Sequence, residues 1–196
     1  LIFSPHPNDD VISMGGTLQR LVDQQHIVHV AYQTSGNIAV GDENVVSAVS
    51  LMKEINKALN KDAGELNVLC DNILQFLTQQ KANGDSDSKD VLFFKAQIRK
   101  EEARTACRYV GVKPENVHFL ELPFYETGKI QKDKLSDRDV IKVMQLLQEV
   151  QPHQIYLAGD LADPHGTHKV CLNAALAAIN ELKNQQWMKD CRIWMY

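Results

Sequence analysis

The chain has 196 residues, of which 44% are hydrophobic and 23% charged, and it carries a formal net charge of -4 at pH 7. This composition excludes a largely disordered protein, and the length suits one α/β domain with a core of its own. With 21 basic and 25 acidic residues, and no apolar run near the roughly 20 residues that span a membrane, it predicts neither a nucleic-acid-binding surface nor a transmembrane helix.

Hydrophobic periodicity and turn residues predict alternating strands and helices. In chain order the predicted elements are a strand at 1–3, a helix from Asp10, a strand at 26–32, a loop at 34–43, helices over 45–60, 65–81 and 90–110, a strand at 117–122, a helix at 136–150, a strand at 155–158, a helix from 168 to 185 and a strand from 191. This order predicts an α/β fold, a Rossmann-like and mostly parallel sheet with helices on both faces.

Two loops rich in His and Asp follow the first and the fourth predicted strand, and ligands of such sheets bind beyond the carboxyl ends of the strands. His6 and Asp9 lie three residues apart in one loop, and His165 and His168 lie three apart in the other. A catalytic zinc site needs three protein ligands from imidazole or carboxylate and one open position for water. Two His and one Asp from these loops meet that need, although iron or cobalt would accept the same donors.

Competing interpretations of these loops are simple turn and cap residues, or the phosphate loop of a nucleotide-binding Rossmann domain. Gly15 and Gly16 follow the first strand, but the chain has no G-x-G-x-x-G sequence, so helix packing explains the pair better. The four cysteines form no C-x-x-C pair and predict reduced thiols in a cytoplasmic protein. Because the chain lacks an initiator Met and begins and ends within apolar stretches, we expect an excised part of a longer protein.

Two motifs resemble those of a known family. Ser-Pro-His-Pro-Asn-Asp-Asp at 4–10, followed by Met-Gly-Gly at 14–16, resembles the first motif of the PIG-L/LmbE-like deacetylases, usually His-Pro-Asp-Asp-Glu. Asp-Pro-His-Gly-Thr-His at 163–168 resembles their second motif, usually His-Pro-Asp-His. Residues that keep the spacing of the family's middle helix are Arg99, Glu102, Ala106, Val110 and Gly111. In detail the chain looks most like the deacetylase-like domain fused to glucosamine-6-phosphate deaminase-like proteins.

The resemblance implies a deacetylase domain over residues 1–196 that removes the acetyl group from an N-acetylglucosamine-type sugar with the help of zinc. Zinc lowers the pKa of bound water to about 7 and polarises the amide carbonyl, while a general base takes the proton of the water. The residues that the resemblance implies are His6, Asp9 and His168 as zinc ligands, His165 as donor to the developing oxyanion, and Arg99 as contact to the sugar.

Two positions depart from the family pattern. Asn8 stands where the family has the Asp that acts as base, and an amide cannot hold a proton, so the rate should fall by about 10²–10⁴-fold. A natural loss of activity, an engineered change and different chemistry would each explain it. Asp10 is the nearest other carboxylate, although neighbouring residues at a helix start point about 100° apart. Thr167 replaces an Asp that could stabilise a charged His165.

The sequence therefore predicts a zinc-dependent deacetylase that acts on an acetylated amino sugar or its phosphate, with Asn8 placing the activity in doubt. The alternative is a catalytically silent metal- and sugar-binding module attached to a hexosamine-phosphate deaminase-like domain. Asn8 and Thr167 separate these hypotheses, because the proposed ligands are the same in both. The identity of the sugar and the assembly into a homo-oligomer are left open.

Overall fold

The computed structural model describes residues 1–59, 64–82, 84–129, 131–160, 162 and 166–196, and within them the chain forms five strands and six α-helices. The strands are β1 (Ile2–Ser4), β2 (Val30–Tyr32), β3 (Val117–Phe119), β4 (Gln154–Leu157) and β5 (Arg192–Met195). The helices are α1 (Asp9–Asp23), α2 (Asp42–Ala58), α3 (Gly64–Gln75), α4 (Lys89–Val110), α5 (Asp137–Val150) and α6 (Thr167–Leu182).

The strands form one sheet in the order β3-β2-β1-β4-β5, and every pair of neighbours is parallel. The register places Phe3 opposite Ala31 and Ile2 opposite Tyr156. The chain first builds the sheet outward from β1 through β2 to β3 and then returns to the other side of β1 with β4. The strand order therefore reverses between β1 and β4, and a crevice opens at the carboxyl ends of strands at such a point.

Both faces of this sheet are covered, as the predicted fold class requires. Phe3 and Ala31 belong to the buried cluster formed with α5 and α6, whereas Ile2, Val30 and Tyr32 belong to the cluster formed with α1 and α4. Successive residues of a strand point to opposite faces, so short strands of continuous apolar sequence supply both clusters. The predicted α/β fold with helices on both faces is confirmed.

The chain divides into two compact units. The first holds the sheet and comprises Leu1–Ser35, Lys100–Thr127 and Gln131–Tyr196, and the second comprises Gly36–Arg99 and a short segment that begins at Gly128. The second unit has its own core, to which α2, α3 and α4 contribute. Its fully buried members are Val45, Val49, Cys70, Ile73 and Val91.

Two predicted strands are too long. The prediction of a strand at 26–32 is wrong at its start: the paired residues are Val30–Tyr32, because His26 and Ile27 are exposed at the turn that ends α1. The prediction of a buried strand at 117–122 is wrong as well. That strand is β3, which ends at Phe119 and is half-buried, because it lies at the sheet edge and Glu121 turns left-handed with φ 47°.

Other predicted features match the structure. Ser136 and Asp139 form the predicted capping box at the start of α5, each side chain bonding the other's backbone N–H. The four cysteines are free thiols, and three of them are buried in helices: Cys70, Cys107 and Cys171. Among the residues described, we find no helix that is long and apolar enough to cross a membrane.

Candidate metal centre

The loop between β1 and α1 positions two of the predicted ligands. β1 ends at Ser4 and α1 begins at Asp9, so His6 lies in the turn 5–9, which ends at the first residue of α1 and contains Pro5 and Pro7. The turn is held by short bonds: the Asn8 N–H donates to the His6 carbonyl at 2.8 Å, and the His6 N–H donates to Asp9 Oδ2 at 2.8 Å. These bonds place the His6 imidazole and the Asp9 carboxylate on the same side of the turn.

The third predicted ligand comes from the start of α6, which follows β4. Gly166 precedes the helix in the left-handed conformation, with φ 73°, and His168 lies in the first helical turn. β4 is the neighbour of β1 in the sheet, so both loops lie at the crevice where the strand order reverses. Residues that are 162 positions apart in the chain meet there.

Three potential ligand atoms converge at this point. His6 Nδ1 lies 3.1 Å from Asp9 Oδ2 and 3.2 Å from His168 Nε2. The third side of the triangle, from His168 Nε2 to Asp9 Oδ2, measures 3.4 Å. The side chains of His6, Asp9 and His168 are 25%, 17% and 18% exposed, so the triangle is shielded but still reached by solvent.

This triangle has the dimensions of a tetrahedral ligand set. At bond lengths of about 2.0–2.1 Å, two ligands of a tetrahedral zinc ion lie about 3.3 Å apart. The three atoms are also all lone-pair donors of the kind that zinc binds, and one further coordination position would remain for water. The residues present therefore fit a divalent metal ion.

Neighbouring charges reinforce this donor set. Burial acts to raise the pKa of Asp9, but polar contacts with the His168 ring, the His6 ring and the His6 backbone N–H outweigh it and hold the pKa well below its usual range. Asp9 is therefore a carboxylate at neutral pH. Asp160 Oδ2 lies 3.8 Å from His168 Nδ1, where its charge favours a proton on Nδ1 and leaves Nε2 as the ligand atom.

The two other polar residues of the first motif, Asn8 and Asp10, lie on either side of Asp9 at the start of α1. Asn8 is half-buried at the N-cap position, directly before Asp9, with an extended φ of 179°. Asp10 is fully buried and turned into the core, where Tyr32 donates to its Oδ2 at 2.9 Å and Ser4 Oγ lies 3.3 Å from its Oδ1. Burial raises the pKa of Asp10, while these hydrogen bonds oppose the rise. Asp10 is thus placed away from solvent and cannot act on a water in the crevice.

The chain has relatives among known protein families and solved structures. A family model described as PIG-L, GlcNAc-PI de-N-acetylase, matches residues 1–179. The chain belongs to the PIG-L family. The predicted resemblance is confirmed.

Two individual proteins are also similar. The chain is 56% identical over 199 aligned positions to a glucosamine-6-phosphate deaminase-like protein of Bacteroides thetaiotaomicron, and the match covers 100% of this chain but 30% of that protein. The fold is similar to that of the N,N'-diacetylchitobiose deacetylase from Pyrococcus horikoshii, with a TM-score of 0.56 and 18% identity. That match covers 96% of this chain and 51% of the deacetylase chain.

The other residues that the PIG-L resemblance implies are placed as follows. His165, the implied oxyanion donor, lies outside the described residues, as does Asp163 of the same motif. Arg99 is half-buried in α4 and belongs to the second unit, whereas His6, Asp9 and His168 belong to the first. The sugar-binding role of Arg99 therefore stays a prediction. Thr167 is buried as the first residue of α6.

Sequence reasoning missed two residues that support this candidate site. The ring of Tyr125 meets the His6 ring edge-on, with centroids 5.9 Å apart, and Lys132 Nζ lies 3.9 Å from the centroid of the Tyr125 ring. Thr34 bonds the carbonyl of Pro5 through its N–H at 3.0 Å and its hydroxyl at 2.7 Å. No motif marks these positions, although both follow strands at the same edge of the sheet as His6.

Proposed function

We propose that this chain is the de-N-acetylase-type domain of a longer glucosamine-6-phosphate deaminase-like protein, and that it binds one zinc ion through His6, Asp9 and His168. The observation that carries the proposal is the convergence of these three ligand atoms, all within 4.8 Å of one another. Membership in the PIG-L family supports a deacetylase-type activity. The proposed substrate class is an N-acetylglucosamine-type sugar or its phosphate, and the proposed location is the cytoplasm.

The donor set supports metal-assisted hydrolysis of an amide. When bound, zinc would supply a water of lowered pKa and a positive charge next to the amide carbonyl. The protein's part is to hold the three ligands rigidly, and the short turn 5–9 and the start of α6 do this from two neighbouring strands. His165 would donate to the oxygen that becomes negative, and Arg99 would bind the sugar, as the resemblance implies.

The residue at position 8 determines how fast this domain would hydrolyse the amide, because the general base is expected there. A general base must accept a proton within hydrogen-bond reach, and an amide cannot, so this position withholds the usual base. Asp10 does not substitute, because its carboxylate is fully buried in the core, where Tyr32 donates to its Oδ2. The second candidate function therefore follows from Asn8: a metal- and sugar-binding module that turns its ligand over slowly or not at all.

The test is acetate release from N-acetylglucosamine and from its 6-phosphate, with one equivalent of zinc. We expect Asn8→Asp to exceed the unaltered chain by about 10²–10⁴-fold, since it restores a carboxylate at the base position. Asn8→Ser is the matched control, because it changes the same side chain without adding a base, and it should be as slow as the unaltered chain.

Each result separates the two functions. Turnover by Asn8→Asp alone means a deacetylase site that lacks its base, and the natural role of the chain is then binding. Equal turnover by all three proteins means that another group serves as base. No turnover by any zinc-loaded protein contradicts the deacetylase proposal for these sugars.

A further inference from the structure

A buried polar network lies directly below the turn that carries His6 and Asp9. Ser4, Asp10, Tyr32 and Cys107 are each at most 1% exposed. Asp10 contributes a carboxylate that lies too deep to meet a substrate. Burying such a group costs free energy unless its oxygens are hydrogen-bonded, so its retention here calls for a structural or functional role.

The hydrogen bonds of the network form a chain from the Cys107 thiol through the Tyr32 hydroxyl to the Asp10 carboxylate. Burial raises the pKa of the Cys107 thiol to about 11, so the thiol keeps its proton and can donate to the Tyr32 oxygen, 3.3 Å away. The Tyr32 hydroxyl in turn donates to Asp10 Oδ2 at 2.9 Å. Because Tyr32 belongs to β2, this chain of bonds ties the first turn of α1 to the sheet.

Ser4 joins the two ends of the turn 5–9 by hydrogen bonds. The Asp10 N–H donates to Ser4 Oγ at 3.1 Å, and the Ser4 hydroxyl donates to the His6 carbonyl at 2.5 Å. One hydroxyl therefore joins the end of β1, the start of α1 and the backbone of one ligand. The loop between these anchor points is five residues long and contains both His6 and Asp9.

We propose that Asp10 is a positioning residue that, through Ser4 and Tyr32, holds the turn 5–9 in the conformation that brings the ligand atoms of His6 and Asp9 together. This inference rests on the proposed function in one respect, namely that His6, Asp9 and His168 bind a metal. A metal site must hold its ligands to a fraction of an ångström, and partners behind the ligands set that precision.

The test uses Co²⁺ as the probe, because four-coordinate Co²⁺ has an intense visible absorption that reports ligand geometry. Tyr32→Phe is the main variant, since it keeps the ring that stacks on Phe119 at 5.3 Å and removes only the hydroxyl. Asp10→Asn is the second variant. Tyr156→Phe is the matched control, because it removes a strand hydroxyl that bonds Gln154 instead of the turn.

We expect Tyr32→Phe and Asp10→Asn to bind Co²⁺ about 10-fold or more weakly than the unaltered chain and to shift its absorption bands. Tyr156→Phe should match the unaltered chain. Thermal unfolding of the metal-free proteins fixes a temperature at which all of them are folded, so a loss of stability alone cannot produce either change. If Asp10→Asn does not fold, Tyr32→Phe still decides.

Folded Tyr32→Phe with unchanged Co²⁺ affinity and spectrum would overturn the positioning role of Asp10 while leaving the proposed metal site intact. Failure of the unaltered chain to bind either Co²⁺ or zinc would instead overturn the metal site, and the positioning role with it. The two failures are therefore told apart by the unaltered chain.

Discussion

Two polar clusters, one in each unit, differ in how their charges are balanced. In the second unit, Lys81 and Lys95 alternate with Asp42 and Asp87 in a closed ring whose four N···O distances are 2.6–2.7 Å. Each ammonium bonds both carboxylates, and each carboxylate uses both of its oxygens. Two positive charges meet two negative charges, so the ring is complete without any further group.

The cluster of His6, Asp9 and His168 in the first unit is built differently. Its three converging atoms are two imidazole nitrogens and one carboxylate oxygen, and all three carry lone pairs. With neutral imidazoles the cluster has one negative charge and no cation of its own. A balanced polar cluster thus acts as a structural clamp, whereas a cluster of acceptors facing one point is suited to bind a cation.

The largest expected effect comes from removing a ligand. His6→Ala or His168→Ala should weaken zinc binding by more than about 100-fold, because two protein ligands remain where a tight site needs three. Isothermal titration and metal analysis after dialysis would measure this. His165→Ala, three residues before His168, should keep its metal, and the exposed His153 provides a second control as His153→Ala.

Stoichiometric loss of zinc in His165→Ala would contradict this division of roles between the two His of the second motif. Full retention of zinc in His168→Ala would contradict the ligand set itself. Either result would remove the proposed difference between the two clusters.

An intermediate effect is expected in the charge ring. Lys95 is only 4% exposed. Lys95→Met should leave the Asp87 carboxylate with only one of its two ammonium partners and lower the free energy of unfolding by about 1–3 kcal/mol. Urea unfolding followed by circular dichroism would measure the change. Lys53→Met is the matched control: Lys53 pairs with Asp71 across α2 and α3, but at the surface, so its loss should have no measurable effect.

Equal destabilisation by the two lysine variants would show that burial does not distinguish the ring from a surface ion pair. Addition of zinc should leave the Lys95→Met deficit unchanged, because the ring needs no metal.

The smallest effect is expected at a third polar cluster, a pair of stacked histidines without an acidic partner in hydrogen-bond contact among the described residues. His29 Nδ1 lies 3.0 Å from His118 Nε2, and the rings stack with centroids 5.3 Å apart. Burial lowers the pKa of both imidazoles, the charges of His118 and of the Leu1 amino group lower the pKa of His29 further, and Glu149 works against both shifts. As the pH falls through about 6.5, these two histidines therefore take up protons in the unfolded chain at a higher pH than in the folded chain.

The stabilising effect of this pair is thus present above pH 6.5 and is lost as the pH falls below it. His118→Gln should reduce the fall in melting temperature between pH 7.5 and 5.5, by less than the effect of Lys95→Met. The exposed His26, changed as His26→Gln, is the control and should leave the pH dependence as it is. An unchanged slope in His118→Gln would contradict the proposed neutrality of the pair.

Much of the fold could be predicted because it depends on local pattern. Ser136 and Asp139 form the capping box that their spacing predicts, and the alternation of strands and helices yields the parallel sheet. Strand lengths were less predictable, since β-branched residues such as Ile27 and Val28 look the same whether or not a neighbouring strand pairs with them. The left-handed turn at Glu121 likewise has no marker such as glycine.

The candidate site could be predicted to a similar extent. The motif loops name His6, Asp9 and His168 as potential ligands, and the structure brings these three side chains together. The depth of Asp10 was not predictable in the same way, because Asp10 lies at the start of α1 and its partner Tyr32 lies on β2. Only the pairing of β1 with β2 brings the two side chains together.

By itself, the sequence determined the family and the fold class, because motifs and periodicity are properties of neighbouring residues. Only the tertiary structure decided that His6 and His168 meet within 3.2 Å, that Asp10 points into the core, and that Lys81 and Lys95 close a ring with two carboxylates. Each of these depends on residues far apart in the chain, and the order of strands and the packing of helices set their distances.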